Sequence, residues 1–251
     1  MKKKNIKSKE RIGFVDEVRG LAILLMVIYH LFFDLVFIYG INIPIFYSPQ
    51  MNLIRDIFAG LFIFISGSAC RLSHNNLKRG ILCFLCGMLI TVVTYVVIPE
   101  DIVRFGILHM LGISMILFFI LQKLLDKIHF PIIGILLFSF LFVITFHVRD
   151  GQLGPFTLPT ALYQTSWLYP LGFPSASFFS SDYFPLIPWL FLFLAGSYFG
   201  IYLRDRRLPR FFYKTHISPL AYVGRHTLII YLAHQPILYG ALYVIFYFVR
   251  N

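Results

Sequence analysis

The chain has 251 residues, of which 59% are hydrophobic, 18% are aromatic and only 13% are charged, and its net charge is +11. A soluble domain has about 25% charged residues and a disordered chain is poor in hydrophobic residues, so the composition excludes both classes. Apolar runs of about 20 residues instead predict an all-α, polytopic integral membrane protein.

Seven apolar runs are long enough to cross a bilayer as helices, and they lack the alternation that a membrane β-barrel requires. We expect a single transmembrane domain over residues 18–251, preceded by a basic arm of residues 1–17. The predicted spans are 18–41, 54–72, 80–98, 102–124, 131–148, 184–203 and 226–249.

The basic residues cluster on one side of these spans. Seventeen Lys and Arg residues lie in the N-terminal arm and in the connections after spans two, four and six, whereas three lie on the other side. The positive-inside rule therefore places the N-terminus in the cytoplasm and the long connection 149–183 outside. We attribute the positive charge to membrane topology rather than to nucleic-acid binding, and an anionic ligand at the cytoplasmic face stays open.

The outer connection 149–183 is rich in Pro, Gly, Ser and aromatic residues. Connections of this length are either plain surface loops or functional lids, and here a lid would offer Trp167 as a sugar-stacking side chain. Arg55 and Arg104 lie near the same predicted surface, where they either bind an acceptor substrate or make structural ion pairs.

One face of the first span carries four ionisable side chains. Arg19 and His30 are 11 residues apart, which at about 100° per residue leaves them roughly 20° from alignment. Asp16 and Asp34 share this face. Because such groups are costly inside a membrane, they indicate function or buried pairing. We interpret His30 as a general base that Asp34 orients, with a purely structural histidine as the alternative.

Two further spans contain polar groups. In span four His109 lies between Gly106 and Gly112, which either leave space for a ligand or let two helices pack closely. In span seven His234 and Gln235 precede a proline, which removes a helical hydrogen bond. Such a break either lines a cavity or forms a kink whose polar groups are bonded to neighbours.

Five segments together have a recognisable pattern. They are residues 11–30, with Asp16-Glu-Val-Arg19-Gly20 and His30, then 62–67 (FIFISG), 105–112 (FGILHMLG), 184–196, and 224–236 (GRHTLIIYLAHQP). The combination resembles the bacterial members of the heparan-α-glucosaminide N-acetyltransferase catalytic-domain family. That family is part of a wider group of transmembrane acyltransferases, which includes enzymes that acylate surface polysaccharides.

The resemblance implies an acyltransferase of the cell membrane. Cytoplasmic acyl-CoA, with acetyl-CoA the expected donor, would acylate a sugar hydroxyl or amine of a cell-envelope glycan. We expect no metal, and we expect membrane lipid to surround the protein. Whether the chain forms a homo-oligomer stays open. The alternative is a proton-coupled transporter that uses His30 and Asp34 as a relay. The expected site residues are His30, Asp34 and His109 for catalysis, Arg19, Asp16, Arg225, His234 and Gln235 for the donor, and Arg55, Arg104 and Trp167 for the acceptor.

Overall fold

The computed structural model of the protein describes residues 12–250, except for the side chains of residues 249 and 250. Residues 1–11, which contain the lysines of the predicted basic arm, lie outside this part of the chain. The described residues form eight α-helices: α1 (Gly13–Phe37), α2 (Pro49–Cys70), α3 (Asn76–Val97), α4 (Ile107–Leu125), α5 (Pro131–Ile144), α6 (Leu186–Arg204), α7 (Ser218–Arg225) and α8 (Thr227–Arg250).

Seven helical segments within residues 12–250 are long and apolar enough to cross a membrane. They are all the α-helices except α7, and the fifth segment extends beyond α5 to Asp150. The predicted all-α class with seven spans is therefore confirmed. The side on which the N-terminus lies stays a prediction.

Several helix boundaries differ from the predicted spans by a few residues, and one helix was not predicted. Helix α1 begins at Gly13, before the predicted start at residue 18, because charged side chains extend the helix beyond its apolar part. Helix α7 has only eight residues. It was not predicted, because its length is well below that of a membrane-spanning run and because it lies in a strongly basic connection.

By internal contacts the chain divides into two compact units. We call residues 1–48 with 207–251 the terminal unit, and residues 49–206 the central unit. The terminal unit contains α1, α7 and α8, and the central unit contains α2 to α6. The prediction of one domain over 18–251 stays a prediction.

The central unit is assembled from close helix pairs, in which α3 packs on α4 and both α2 and α5 pack on α6. Glycines allow these contacts. A Cβ atom added to Gly112 would lie 2.6 Å from the Phe84 amide nitrogen, and one added to Gly67 would meet the Phe193 carbonyl. Small residues that let backbones approach are typical of helix packing in membranes.

The long connection 149–183 is folded within the central unit. It contains a two-residue antiparallel hairpin, β1 (Gln152–Leu153) with β2 (Phe156–Thr157). The Phe178 and Tyr169 rings stack at 4.6 Å, and the Tyr183 hydroxyl donates to the Tyr169 carbonyl at 2.6 Å. The connection therefore has a fixed arrangement of its own.

Candidate functional site

The polar face of α1 meets the polar face of α8 inside the terminal unit. The rings of His30 and His234 lie with their centroids 4.9 Å apart. The Gln235 amide donates to the Asp34 carboxylate at 2.8 Å. Nearer the helix starts, the Arg19 guanidinium donates to the Thr227 hydroxyl at 2.7 Å. These contacts are the main features of the candidate site.

The three contacts follow the same order along both helices: residue numbers increase on α1 and on α8 from Arg19 with Thr227 to Asp34 with Gln235. Helices α1 and α8 therefore run in the same direction. This is the arrangement expected of the first and seventh spans, because two helices separated by five further crossings traverse the membrane in the same sense.

His234 is held in one tautomer. Its Nδ1 lies 2.5 Å from the Tyr231 carbonyl oxygen, and because a carbonyl only accepts, Nδ1 must carry the proton. The other ring nitrogen, Nε2, is buried and has no hydrogen-bond partner among residues 12–250. His234 is 8% exposed. It therefore directs an unprotonated nitrogen lone pair into a buried environment beside His30.

Asp34 is a fully buried carboxylate, with 0% of its surface exposed. It lies one helical turn after His30, and its Oδ1 accepts the hydrogen bond from Gln235. A buried carboxylate needs such partners, because burial of a polar group without a hydrogen bond is costly. His30 itself is half-buried, between the rings of Tyr29 and Phe33 at 5.8 and 6.4 Å.

Near its N-terminal end, the polar face of α1 contacts α7 and the start of α8. The Asp16 carboxylate lies 3.5 Å from the exposed Arg225 guanidinium. Asp16 therefore orients a cation and does not itself present an anion-binding group. Exposed basic side chains precede α7 in the same unit, and they are Arg207, Arg210 and Lys214.

His109, the third predicted catalytic residue, lies in the central unit and is 2% exposed. Its Nδ1 accepts the Gly106 amide at 3.2 Å, so its Nε2 carries the proton and faces the Thr91 hydroxyl at 3.3 Å. That hydroxyl in turn donates to the Val103 carbonyl at 2.6 Å. Both ring nitrogens of His109 are thus used in bonds that shape the start of α4.

The three predicted acceptor-binding residues are in the central unit as well. Arg55 pairs with the adjacent Asp56 at 2.9 Å. The Arg104 guanidinium lies 5.9 Å from the centre of the Phe178 ring. Trp167, in the long connection, is 70% exposed. Trp167 and Arg104 are exposed, whereas Arg55 is half-buried.

Sequence reasoning missed Glu17, although it stands inside the motif that drew attention to Asp16 and Arg19. Glu17 is buried, with 5% of its surface exposed, and it accepts two backbone hydrogen bonds from the residues just before α7. In the sequence, Glu17 is noticeable only as a carboxylate among apolar residues at the start of a helix. That pattern does not identify a partner about 200 positions away. Tyr231, whose carbonyl sets the His234 tautomer, carried no signal.

Comparison with known protein families gives one result that covers most of the chain. The family described as "Heparan-alpha-glucosaminide N-acetyltransferase, catalytic" matches residues 11–236. No curated protein and no solved structure gives a significant match. The matched range includes both His30 and His234 and ends directly after Gln235.

Proposed function

The chain belongs to the heparan-α-glucosaminide N-acetyltransferase catalytic family, and from this premise we propose that it transfers an acetyl group from acetyl-CoA to a sugar hydroxyl or amine. The family indicates a membrane acetyltransferase, and residues 12–250 contain seven helical segments long and apolar enough to cross a membrane. Our proposal adds the donor, the chemical class of the acceptor, a role in modifying a cell-envelope glycan, and residence in the cell membrane.

The observation that carries the proposal is the meeting of His30 with His234 in an apolar setting. Acetyl transfer to a hydroxyl or amine needs a group that removes the acceptor proton as the new bond forms. His30 is the candidate for this group, and the His234 imidazole lies beside it with the ring centroids 4.9 Å apart. The buried Asp34 carboxylate on the same face of α1 favours the charged form of His30 once it has taken the proton.

We assign the steps as follows. The acceptor oxygen or nitrogen attacks the thioester carbonyl carbon while His30 takes its proton. The carbon–sulfur bond then breaks, the carbon–oxygen or carbon–nitrogen bond remains, and coenzyme A leaves as a thiolate that is protonated to the thiol. His234, with its open Nε2, lies beside His30 and is placed to share the proton.

The phosphates of the donor have a suitable set of cations in the terminal unit. Arg225 is exposed and is oriented by Asp16, and Arg207, Arg210 and Lys214 are exposed as well. Arginine binds phosphate through paired N–H donors. We therefore place the nucleotide part of acetyl-CoA at this end of α1, with Arg19 between it and His30 along the helix.

We keep two of the predicted acceptor-binding residues, Trp167 and Arg104, in the proposal. An exposed Trp167 suits stacking on a sugar ring, and Arg104 suits hydroxyl or carboxylate groups of a glycan. Arg55 and His109 are engaged with Asp56 and with Thr91, respectively. We therefore expect Arg55 and His109 to have structural roles within the central unit rather than to contact the acceptor.

The test is turnover of acetyl-CoA by the full-length protein in nanodiscs, with a panel of amino sugars and glycans as acceptors. Release of coenzyme A and formation of acetylated product are measured for wild type, His30→Ala and the control His74→Ala. His74 is exposed in the connection between α2 and α3. Turnover that the His30 variant loses and the His74 variant keeps supports the proposal.

Absence of binding and turnover in the wild type, with acetyl-CoA and also with a longer acyl-CoA, would overturn it. A proton-coupled flux assay in liposomes would then test the transporter alternative, in which His30 and Asp34 carry a proton.

A further inference from the structure

Glu17 joins α1 to the segment that leads into α7. Its Oε1 accepts the Ile217 amide at 2.6 Å and also the amide of His216. These two residues directly precede α7, whose N-cap position has no capping side chain of its own. A buried carboxylate from another helix therefore accepts backbone N–H groups at the entry to α7, among them that of the N-cap residue Ile217.

The contact between α1 and α7 is close along its whole length. A Cβ atom added to Gly20 would lie 3.0 Å from the Leu220 carbonyl carbon, and one added to Gly224 would lie 3.0 Å from the Gly20 amide nitrogen. Asp16 and Arg225 join the far end of α7 to the same helix. Helix α7 is thus fixed at both ends and in the middle.

The residues before α7 also fold onto the start of α1. The Phe14 ring lies 5.4 Å from that of Phe211 and 5.0 Å from that of Phe212. The His216 ring stacks on Phe211 at 4.2 Å. We call residues 207–217 the basic strap, because Arg207, Arg210 and Lys214 lie on it.

The basic strap carries three of the exposed cations that the proposed function assigns to donor phosphates. Aromatic contacts hold the side chains of this segment near α1, but they do not bond its backbone to α1. Two hydrogen bonds to a buried carboxylate set its position along α1. They are charge-assisted, and such bonds are shorter and stronger than neutral ones.

We propose that Glu17 is a positioning residue of the donor site, which holds the basic strap in register with α1. It does not touch the donor. It acts through the backbone of His216 and Ile217, and its loss removes the acceptor of both backbone N–H groups and lets the strap move. What the strap binds rests on the proposed function, whereas the clamp itself does not.

The first test needs no substrate. Ligand-free protein in nanodiscs is treated with trypsin, and mass spectrometry follows cleavage after Arg210 and Lys214, with cleavage after the exposed Lys127 and Arg149 of the central unit as reference. We expect Glu17→Ala to be cut in the strap at least about tenfold faster, because two charge-assisted bonds are lost. Glu17→Gln keeps the accepting oxygen and should stay within about threefold of wild type.

The second test asks whether the clamp serves the donor. Glu17→Ala should raise the KM for acetyl-CoA by roughly tenfold, since an ordering step is added to binding, with a smaller change in kcat. Glu17→Gln should restore most of the affinity. Glu100→Gln changes an exposed carboxylate of the central unit and is the matched control.

Strap cleavage that is unchanged in Glu17→Ala, with the reference sites also unchanged, overturns the clamp. Faster strap cleavage with an unaltered KM overturns the positioning role at the donor site. Faster cleavage at all four sites shows general unfolding and also counts against the proposal. If wild type itself does not turn over acetyl-CoA, the proposed function fails, and the trypsin result still decides the clamp.

Discussion

His30 and His234 lie 204 positions apart in the chain, yet their rings face each other with centroids 4.9 Å apart. The pair joins the first membrane span to the last. One member is half-buried on α1, and the other has its tautomer fixed by the Tyr231 carbonyl. Our proposal therefore assigns His234 to proton transfer beside His30, whereas the sequence suggested a contact with the donor.

Replacing His234 by asparagine should separate catalysis from donor binding. Asparagine keeps an N–H donor near the position of Nδ1 but has no group at Nε2. We expect kcat to fall by about 100-fold or more, in the range of a lost acid–base group, with the KM for acetyl-CoA within about threefold of wild type. Steady-state kinetics in nanodiscs measures both. A raised KM with an unchanged kcat would instead assign His234 to the donor.

Replacing Gly20 by alanine should destabilise the contact between α1 and α7. The new methyl group would lie 3.0 Å from the Leu220 carbonyl carbon and 3.1 Å from the Gly224 amide nitrogen, and we expect a loss of about 1–3 kcal/mol. The matched control is Gly240→Ala in α8, where nothing lies within 4 Å. There alanine should be neutral or stabilising by up to about 1 kcal/mol. Thermal unfolding in detergent compares the two, and equal effects would contradict the close packing.

Arg71 should be a major stabilising residue of the central unit. Its side chain is 1% exposed and bonds to Asp126 at 2.5 Å, and its guanidinium lies 4.9 Å from the Phe118 ring and 5.6 Å from the Tyr198 ring. Asp126 is half-exposed and is solvated when the cation is removed, so most of the loss comes from packing and ring contacts.

We expect Arg71→Ala to lower the free energy of unfolding by roughly 2–4 kcal/mol. The exposed control Lys78→Ala should stay within about 0.5 kcal/mol of wild type. Chemical unfolding in mixed micelles measures both. A loss from Arg71→Ala no greater than that of the control would show that the buried cation contributes nothing net.

The long connection 149–183 should lose stability in alkali. Burial raises the pKa of Tyr183, an effect that Arg149 partly offsets, and burial also raises the pKa of Tyr163. An unfolded tyrosine ionises at about pH 10, while the folded hydroxyls stay protonated. Their stabilisation is therefore complete below about pH 10 and is lost as the pH rises towards the folded pKa.

Tyrosinate absorbance and thermal unfolding, followed from neutral to alkaline pH, measure this loss. Tyr183→Phe cannot ionise at this position, so its stability should fall less steeply with pH than that of wild type. At neutral pH it should be less stable, because the bond to the Tyr169 carbonyl is lost. Equal slopes in alkali would contradict the assignment.

The sequence by itself determined the class of the protein, because apolar runs of this length match the thickness of a bilayer when they are helical. It also determined that Asp16, Arg19, His30 and Asp34 share one face of α1, since helical periodicity is local. The family resemblance was likewise present in short local motifs, and the match over residues 11–236 confirmed it.

The tertiary structure alone decided which groups meet. That His234 faces His30, that Gln235 bonds Asp34 and that Glu17 holds the residues before α7 all depend on how helices from opposite ends of the chain pack. The sequence left open whether His109 serves catalysis or packing, and only the structure shows that its bonds to Gly106 and Thr91 occupy both nitrogens. Periodicity gives the face on which a side chain lies. The partner on that face is set by interhelical packing between residues far apart in the chain, which no local pattern encodes.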